Sequence, residues 1–313
     1  MNEVIVNQQS IIDDTAIANA KRKGKWMQFF KGMLFLLPSI VLFGLFLFYP
    51  LGRTIYLSFF LTDNSGNPTV FVGLDNFIAI FTSPIFQKSL MSTFLFVLYI
   101  VPGTVLLGLF LAIIANEKLK GIGIFRTVFS STMGISVAAA SVFWLFLFHP
   151  TIGWLNQMIS VVGISAIGWL TDPQWALISV SISTIWMNVG FTFLILLGGL
   201  QSIDSYLYES ANIDGASYFY KLRRITLPML SPTLFFVVTV TLINAFQTFG
   251  QIDLLTRGGP QNETNLIVYS IYQNAFMNYQ YGTASAQAFI LFVIILVLTF
   301  VQFKLGERKV HYQ

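Results

Sequence analysis

Residues 209–232 read ESANIDGASYFYKLRRITLPMLSP, a short polar island between two long apolar runs. Asp204 or Ser205 can cap a short helix running through Glu209 and Ala211 to Ile213. Gly215 takes conformations that other residues resist, which lets the chain turn. A second helix then runs from about Ala216 until Pro228 ends or bends it. Small side chains at Ser210 and Ala211 let another backbone come close, and Glu209 is left to meet a cation on a partner. Taken alone, the stretch reads equally well as an ordinary loop with a capped helix.

The flanking runs fix the class. Of 313 residues, 55% are hydrophobic and 10% are charged, and the mean hydropathy is +0.73. A soluble domain carries roughly 25% charged residues, so lipid is the expected solvent. The 32 Phe residues suit lipid-facing and helix-packing surfaces. The absence of cysteine excludes disulfides, thiolate catalysis and Cys-ligated metals. His149 and His311 lie too far apart in sequence and setting to mark a metal site.

Runs of about 20 apolar residues cross a bilayer as helices. Six are read: Met33 to Pro50, Thr93 to Ala115, Thr127 to Phe148, Ala176 to Leu200, Thr233 to Phe249, and Ala284 to Phe303. Pro102 is expected to kink the second, whereas Pro38 is tolerable in an opening turn. The expected fold is therefore an all-α membrane protein with six transmembrane helices in one domain, residues 33–303. Residues 1–32 form a polar segment ahead of it, whose Ile and Ala residues permit an amphipathic helix on the inner leaflet. Residues 304–313 form a tail. No small-residue cleavage site follows the first run, which is expected to stay as an anchor.

Basic residues set the orientation. Fourteen of the 17 Lys and Arg fall on one side: five before the first span, three between the second and third, three between the fourth and fifth, and three after the sixth. Arg53, Lys88 and Arg257 fall on the other. Both termini and the Glu209 island are thus expected in the cytoplasm. On the outer side, Asp63, Asn64, Gly66 and Pro68 supply turn chemistry, followed by an amphipathic stretch towards Phe86. The Trp-rich segment from Thr151 to Trp175 is expected along the interface, and the longest outer connection runs from Gly250 to Thr283.

All 13 carboxylates, and all Lys and Arg, lie outside these six spans. Buried charges cost about 2.5–3.5 kcal/mol each on insertion scales and are kept only for function. Their absence argues against proton relays and voltage sensing, although sodium sites built from carbonyls and hydroxyls stay open. No GxxxxGK[ST] loop is present, so ATP hydrolysis by that route is excluded. The polar residues that do lie in the fourth and fifth spans are neutral. Trp186, Asn188, Asn244, Gln247 and Thr248 form the candidate substrate path, with Asn244 and Gln247 three apart on one helix face. A neutral site with aromatics suits hydroxyl-rich solutes. Hydrogen bonding between helices is the other reading of each polar residue.

The island also carries a family signature. Glu209, Ala211, Gly215, Ile225, Leu227 and Pro228 match the EAA motif (EAA, three residues, G, nine residues, I-x-L-P) of permease subunits in binding-protein-dependent ABC importers. Ser210 replaces the second Ala, and Asp214-Gly215-Ala216 strengthens the likeness. GLQSI (199–203), LLTRGGP (254–260) and FVGLDNF (71–77) resemble segments of the carbohydrate and maltose-type subfamily. The ending VQFKLGERKVHYQ is similar to the tail of one glycerol-3-phosphate permease subunit. The resemblance covers roughly residues 33–313.

What this resemblance implies is a type I importer permease fold with a cytoplasmic coupling-helix loop at 201–232. Glu209, Ser210, Ala211, Asp214, Gly215 and Ala216 would meet a separate ATPase subunit dimer, which binds ATP and Mg. This chain would hold no cofactor. The other implied partners are a second, homologous permease subunit and an extracytoplasmic solute-binding protein, in a bacterial inner membrane; no nucleic acid is expected. A carbohydrate is the expected solute, with glycerol-3-phosphate or its diesters as the alternative. An ion-coupled or facilitative carrier, an intramembrane enzyme and an exporter are the competing classes.

Overall fold

The computed structural model describes residues 25–117 and 119–306. The chain divides into two units, Met1–Tyr56 and Leu57–Gln313. The first contributes helix α1 (Lys25–Leu57), whose most apolar window has a mean hydropathy of 2.3. A π-turn interrupts it at Gly44–Phe48. Its side chains are apolar on every side, as suits a helix bathed in lipid. Of the expected N-terminal segment 1–32, residues 1–24 lie outside the described ones. Residues 25–32 are the opening turns of α1, so the helix begins ahead of the Met33 start read from the apolar run.

The second unit opens with a hairpin organised by one carboxylate. Asp63 accepts hydrogen bonds from the Ser65 N–H (2.9 Å), the Asn67 N–H (2.8 Å) and the Asn67 side-chain amide (3.1 Å). These bonds, led by the Asn67 backbone N–H, hold its carboxyl below the ordinary carboxylate value. The closed turn lets β1 (Phe60–Thr62) pair antiparallel with β2 (Pro68–Phe71), with Phe60 opposite Phe71. Helix α2 (Asp75–Thr82) follows. From it, the buried Asn76 amide donates to the carbonyls of Ser58 (2.9 Å) and Phe60 (3.0 Å), pinning the hairpin to the helix.

Ser83 caps α3 (Pro84–Asn116), and Pro84 sits where a missing N–H costs nothing. Next come α4 (Ile122–Ser130), a tight turn at Ser131–Gly134, and α5 (Val137–Leu147). The expected single span from Thr127 to Phe148 is corrected here, because the two parts meet at 105°. Ser136 is extended and its hydroxyl accepts from the Ala139 N–H (3.2 Å), so α5 starts as a new helix without any proline. Helix α6 (Trp154–Val161) leads to α7 (Pro173–Gln201), capped by Asp172. Then come α8 (Ser205–Ile213), α9 (Tyr218–Met229), α10 (Ser231–Phe246), α11 (Gly250–Leu255), α12 (Ile267–Tyr272) and α13 (Tyr281–Gly306). Helices α9 and α10 meet at 66°, at the paired prolines 228 and 232.

Among the described residues four helices, α1, α3, α7 and α13, are long and apolar enough to cross a membrane, and the count rises to six if each bent pair is one span. Helix α7 is the centre of its unit: 56% of its apolar window is buried, against 33% for α3 and 28% for α13. Its closest neighbour is α3. A Cβ on Gly108 of α3 would lie 2.5 Å from Thr192 Cγ2, so only glycine permits this approach. The ends of the unit differ in chemistry. One carries the hairpin; the other carries Lys120, Arg126, Lys221, Arg223 and Arg224 and is called the basic end below. A large apolar cluster including Phe86, Phe96, Phe148, Phe246 and Leu266 lies towards the hairpin end. A second, including Phe193, Leu196, Leu200, Leu230 and Val237, lies towards the basic end.

Candidate functional site

The polar island folds as two helices at the basic end. Asp204, not Ser205, is the cap of α8: its carboxylate accepts from the Tyr206 N–H at 2.9 Å. The helix closes on Gly215, which adopts φ +70°, the left-handed conformation that glycine takes without strain. The N–H of Ala216 returns to the Ala211 carbonyl (2.9 Å) and that of Gly215 to Asn212 (3.1 Å), satisfying the last carbonyls of the helix. The second helix begins at Tyr218 rather than at Ala216, because Ser217 is extended and caps it.

Side chains then tie the two helices together. Lys221 Nζ donates to Asn212 Oδ1 at 2.7 Å, and the hydroxyls of Tyr208 and Thr226 lie 3.0 Å apart. Ala211 is buried, the role expected of a small residue. Glu209 is exposed, and among the described residues the only ion pair joins Lys88 to Glu263, so none of the described cations pairs with Glu209. Asp214 and Gly215 are exposed as well, while Ser210 and Ala216 are half-buried. Behind α8 lies a cleft of about 680 Å³, lined by Glu209, Asn212, Tyr208, Lys221, Arg126 and Glu117 among others. Arg126 donates through Nε (3.0 Å) and Nη2 (2.8 Å) to the Ala115 carbonyl, closing the end of α3 beside this cleft.

Two further residues stand out. Ile213 and Phe219, either side of the Gly215 turn, are 87% and 79% exposed. Exposed apolar side chains on a polar loop mark a contact surface. The sequence held the signal, apolar residues inside a polar island, but only the fold reveals that no other described residue covers them.

The candidate path residues are only partly brought together. Helix α10 packs against α7, as their roles require. The Trp186 ring stacks on Phe143 (centroids 5.8 Å apart) and meets Trp144 edge-on (5.9 Å). Asn188 donates to the Thr184 carbonyl in its own helix at 2.8 Å. Asn244 and Gln247 are exposed. The expected fifth span is shorter than drawn: α10 ends at Phe246 with Gln247 as its C-cap, so Gln247 and Thr248 lie in the break before α11. Thr248 Oγ1 donates back to the Asn244 carbonyl at 3.1 Å. Among the described residues no hydrogen bond joins this group to Asn188 or Trp186.

Comparison with known proteins bears on both regions. The family model described as "binding-protein-dependent transport system inner membrane component" matches residues 76–311. The sn-glycerol-3-phosphate transport system permease protein UgpA of Agrobacterium fabrum is 36% identical over 282 residues, spanning 89% of this chain and 95% of the relative. The protein of the same name from Yersinia enterocolitica is 33% identical over 283 residues, spanning 90% and 95%. Among solved structures, a bacterial ABC transporter involved in the import of the acidic polysaccharide alginate has a chain that superposes with a TM-score of 0.75. That chain is 27% identical, and the match covers 91% of this chain and 96% of that one.

Proposed function

The chain belongs to the family of inner membrane components of binding-protein-dependent transport systems, and from that premise we propose how it serves an importer. It is a permease subunit of an ATP-driven importer. It passes a carbohydrate, a mono- or oligosaccharide, from an extracytoplasmic binding protein into the cytoplasm. A second, homologous permease subunit and an ATPase subunit dimer complete the assembly. ATP and Mg bind to that ATPase, and this chain holds no ATPase site of its own. The basic end and both termini face the cytoplasm, where the excess of Lys and Arg belongs.

One observation carries this reading: the braced α8–α9 pair presents Glu209, Ile213 and Phe219 to solvent, with no partner among the described residues. Such a unit is a rigid handle for a docking protein. Glu209, Ser210, Ala211, Asp214, Gly215 and Ala216 form the ATPase contact. ATP drives the cycle by binding one arrangement of the assembly better than the other; a ligand without that preference shifts nothing. The neutral amides Asn188, Asn244 and Gln247, with Thr248 and the Trp186 ring, line the solute's way. The test is co-purification with the ATPase followed by an ATPase assay. Glu209→Lys is expected to lower stimulated hydrolysis roughly tenfold, equivalent to about 1.4 kcal/mol of docking energy. Unchanged association and hydrolysis in both Glu209→Lys and Gly215→Pro would remove the coupling role.

A second reading of the solute, glycerol-3-phosphate or its diesters, is favoured by the names of the A. fabrum and Y. enterocolitica relatives. Against it stands an interior in which no Lys or Arg meets a phosphate, although helix N-termini can. Competition of labelled sugar uptake by glycerol-3-phosphate separates the two.

A further inference from the structure

At the hairpin end, α2, the start of α3, the α11–α12 segment and α13 enclose a cleft of about 390 Å³, within the size range of small-molecule sites. Seven side-chain amides line it, and no charged residue does. Three of these amides form a chain. Asn278 Nδ2 donates to Asn274 Oδ1 (3.1 Å), Asn274 Nδ2 to Gln287 Oε1 (3.0 Å), and Gln287 Nε2 to Ser270 Oγ (3.2 Å). The chain runs from the exposed Asn278 to a Gln287 that is 3% exposed. Such bonds polarise one another and set the orientation of every amide in the series.

One lining group is left unmatched. Asn265 is 1% exposed, and its Oδ1 has no hydrogen-bond donor among the described residues. A buried acceptor without a donor is costly, so few survive in folded proteins. The apolar floor of the cleft is made by Ile80 and Phe86, each 2% exposed. Amides both donate and accept, as hydroxyls do, whereas an anion needs donors alone. A ring of amides above an apolar floor therefore matches a compact molecule with hydroxyls on its rim and C–H groups on its face.

We propose that this cleft binds a neutral polyhydroxylated solute about one sugar unit in size, with Asn265 Oδ1 accepting one of its hydroxyls. The site is separate from the Trp186–Thr248 path. It depends on the importer reading only for the direction in which the solute then travels.

The experiment uses the assembled transporter in lipid nanodiscs without ATP, and saturation-transfer NMR with glucose, maltose and, as the anionic comparison, glycerol-3-phosphate. At least one neutral sugar is expected to give a signal. Asn265→Leu is expected to weaken that binding about tenfold or more, and Asn278→Ala, at the exposed end of the chain, by a smaller factor. Because Asn278 is exposed, its variant reports on the cleft even where Asn265→Leu fails to assemble. The idea is overturned if neither sugar binds, if the signal survives both substitutions, or if glycerol-3-phosphate competes equally well. The same measurement on Glu209→Lys separates the two claims: sugar binding is retained there while ATPase coupling is lost.

Discussion

The two ends of the bundle are held together in opposite ways. At the hairpin end the polar ties span great distances in sequence. The Ile267 N–H donates to Thr93 Oγ1 (3.0 Å) across 174 residues, the Gly282 N–H to Thr62 Oγ1 (3.2 Å) across 220, and Lys88 pairs with Glu263 at 2.8 Å. Within the α8–α9 pair at the basic end the ties are local. Asp204 caps its own helix, and Lys221 reaches Asn212 only nine residues away. Long-range ties fix a segment's place in the fold; local ties fix its shape and leave its place to apolar packing. A part that must hold its form while being moved is built in the second way.

The largest loss is expected on the hairpin side at Asn156, whose ties reach only 6 to 13 residues along the chain but whose side chain is buried. This buried residue donates to the carbonyls of Pro150 (2.9 Å) and Ile167 (3.0 Å). It accepts from the Ile167 N–H (3.1 Å) and the Trp169 indole (2.9 Å). Asn156→Ala strands all four groups and is expected to cost about 3 kcal/mol or more, read as a fall in thermal midpoint of the detergent-solubilised subunit. A smaller loss is expected at the basic end from Gly215→Ala. The space beside Gly215 is open, so only the left-handed backbone is penalised, by about 1 kcal/mol. That variant is expected to keep the fold while weakening ATPase association in the co-purification assay. If Gly215→Ala instead lowers the midpoint as much as Asn156→Ala, the contrast between the ends is wrong.

The smallest effect expected is one of acidity at the hairpin. The Asp63 carboxyl is held below its ordinary value by hydrogen bonds to the charged form. Its contribution is therefore complete above the ordinary Asp range near 3.9 and fades as the pH falls through the lowered value. Amide exchange at Ser65 and Asn67 is expected to quicken, beyond the solvent effect, only on acidification below about pH 4. Asp63→Asn removes that pH dependence.

Legibility in the sequence followed the range of the forces involved. Helices α3, α7 and α13 are evident from apolar runs alone, and the α9–α10 bend from Pro228. The sharper break between α4 and α5 is not, because residues 127–148 carry no charge and no proline, and its markers are only Gly134 and the Ser136 cap. Turn chemistry at Asp63 and Gly66 was readable, but the two strands it joins are too short to show alternation. At the basic end, the capped helix, the small Ala211 and the turning Gly215 were legible because each acts within a few residues. The amide cleft was not. The Asn-rich run near 274–278 is visible, but Gln287 and Asn265 join it only through the packing of α12 against α13. The expected fifth span, drawn to Phe249, misread a helix end, since hydropathy continues to Phe249 after the hydrogen-bonded ladder has stopped at Phe246.

The bond from Ile267 to Thr93 and the ion pair from Glu263 to Lys88 fasten the start of α12, and the loop before it, to α3 at two points. A clasp of that kind makes the pair one moving body during any opening stroke. The 105° elbow between α4 and α5 lies outside that clasp and is seated on α7 instead: a Cβ on Gly190 would collide with Thr132 Oγ1.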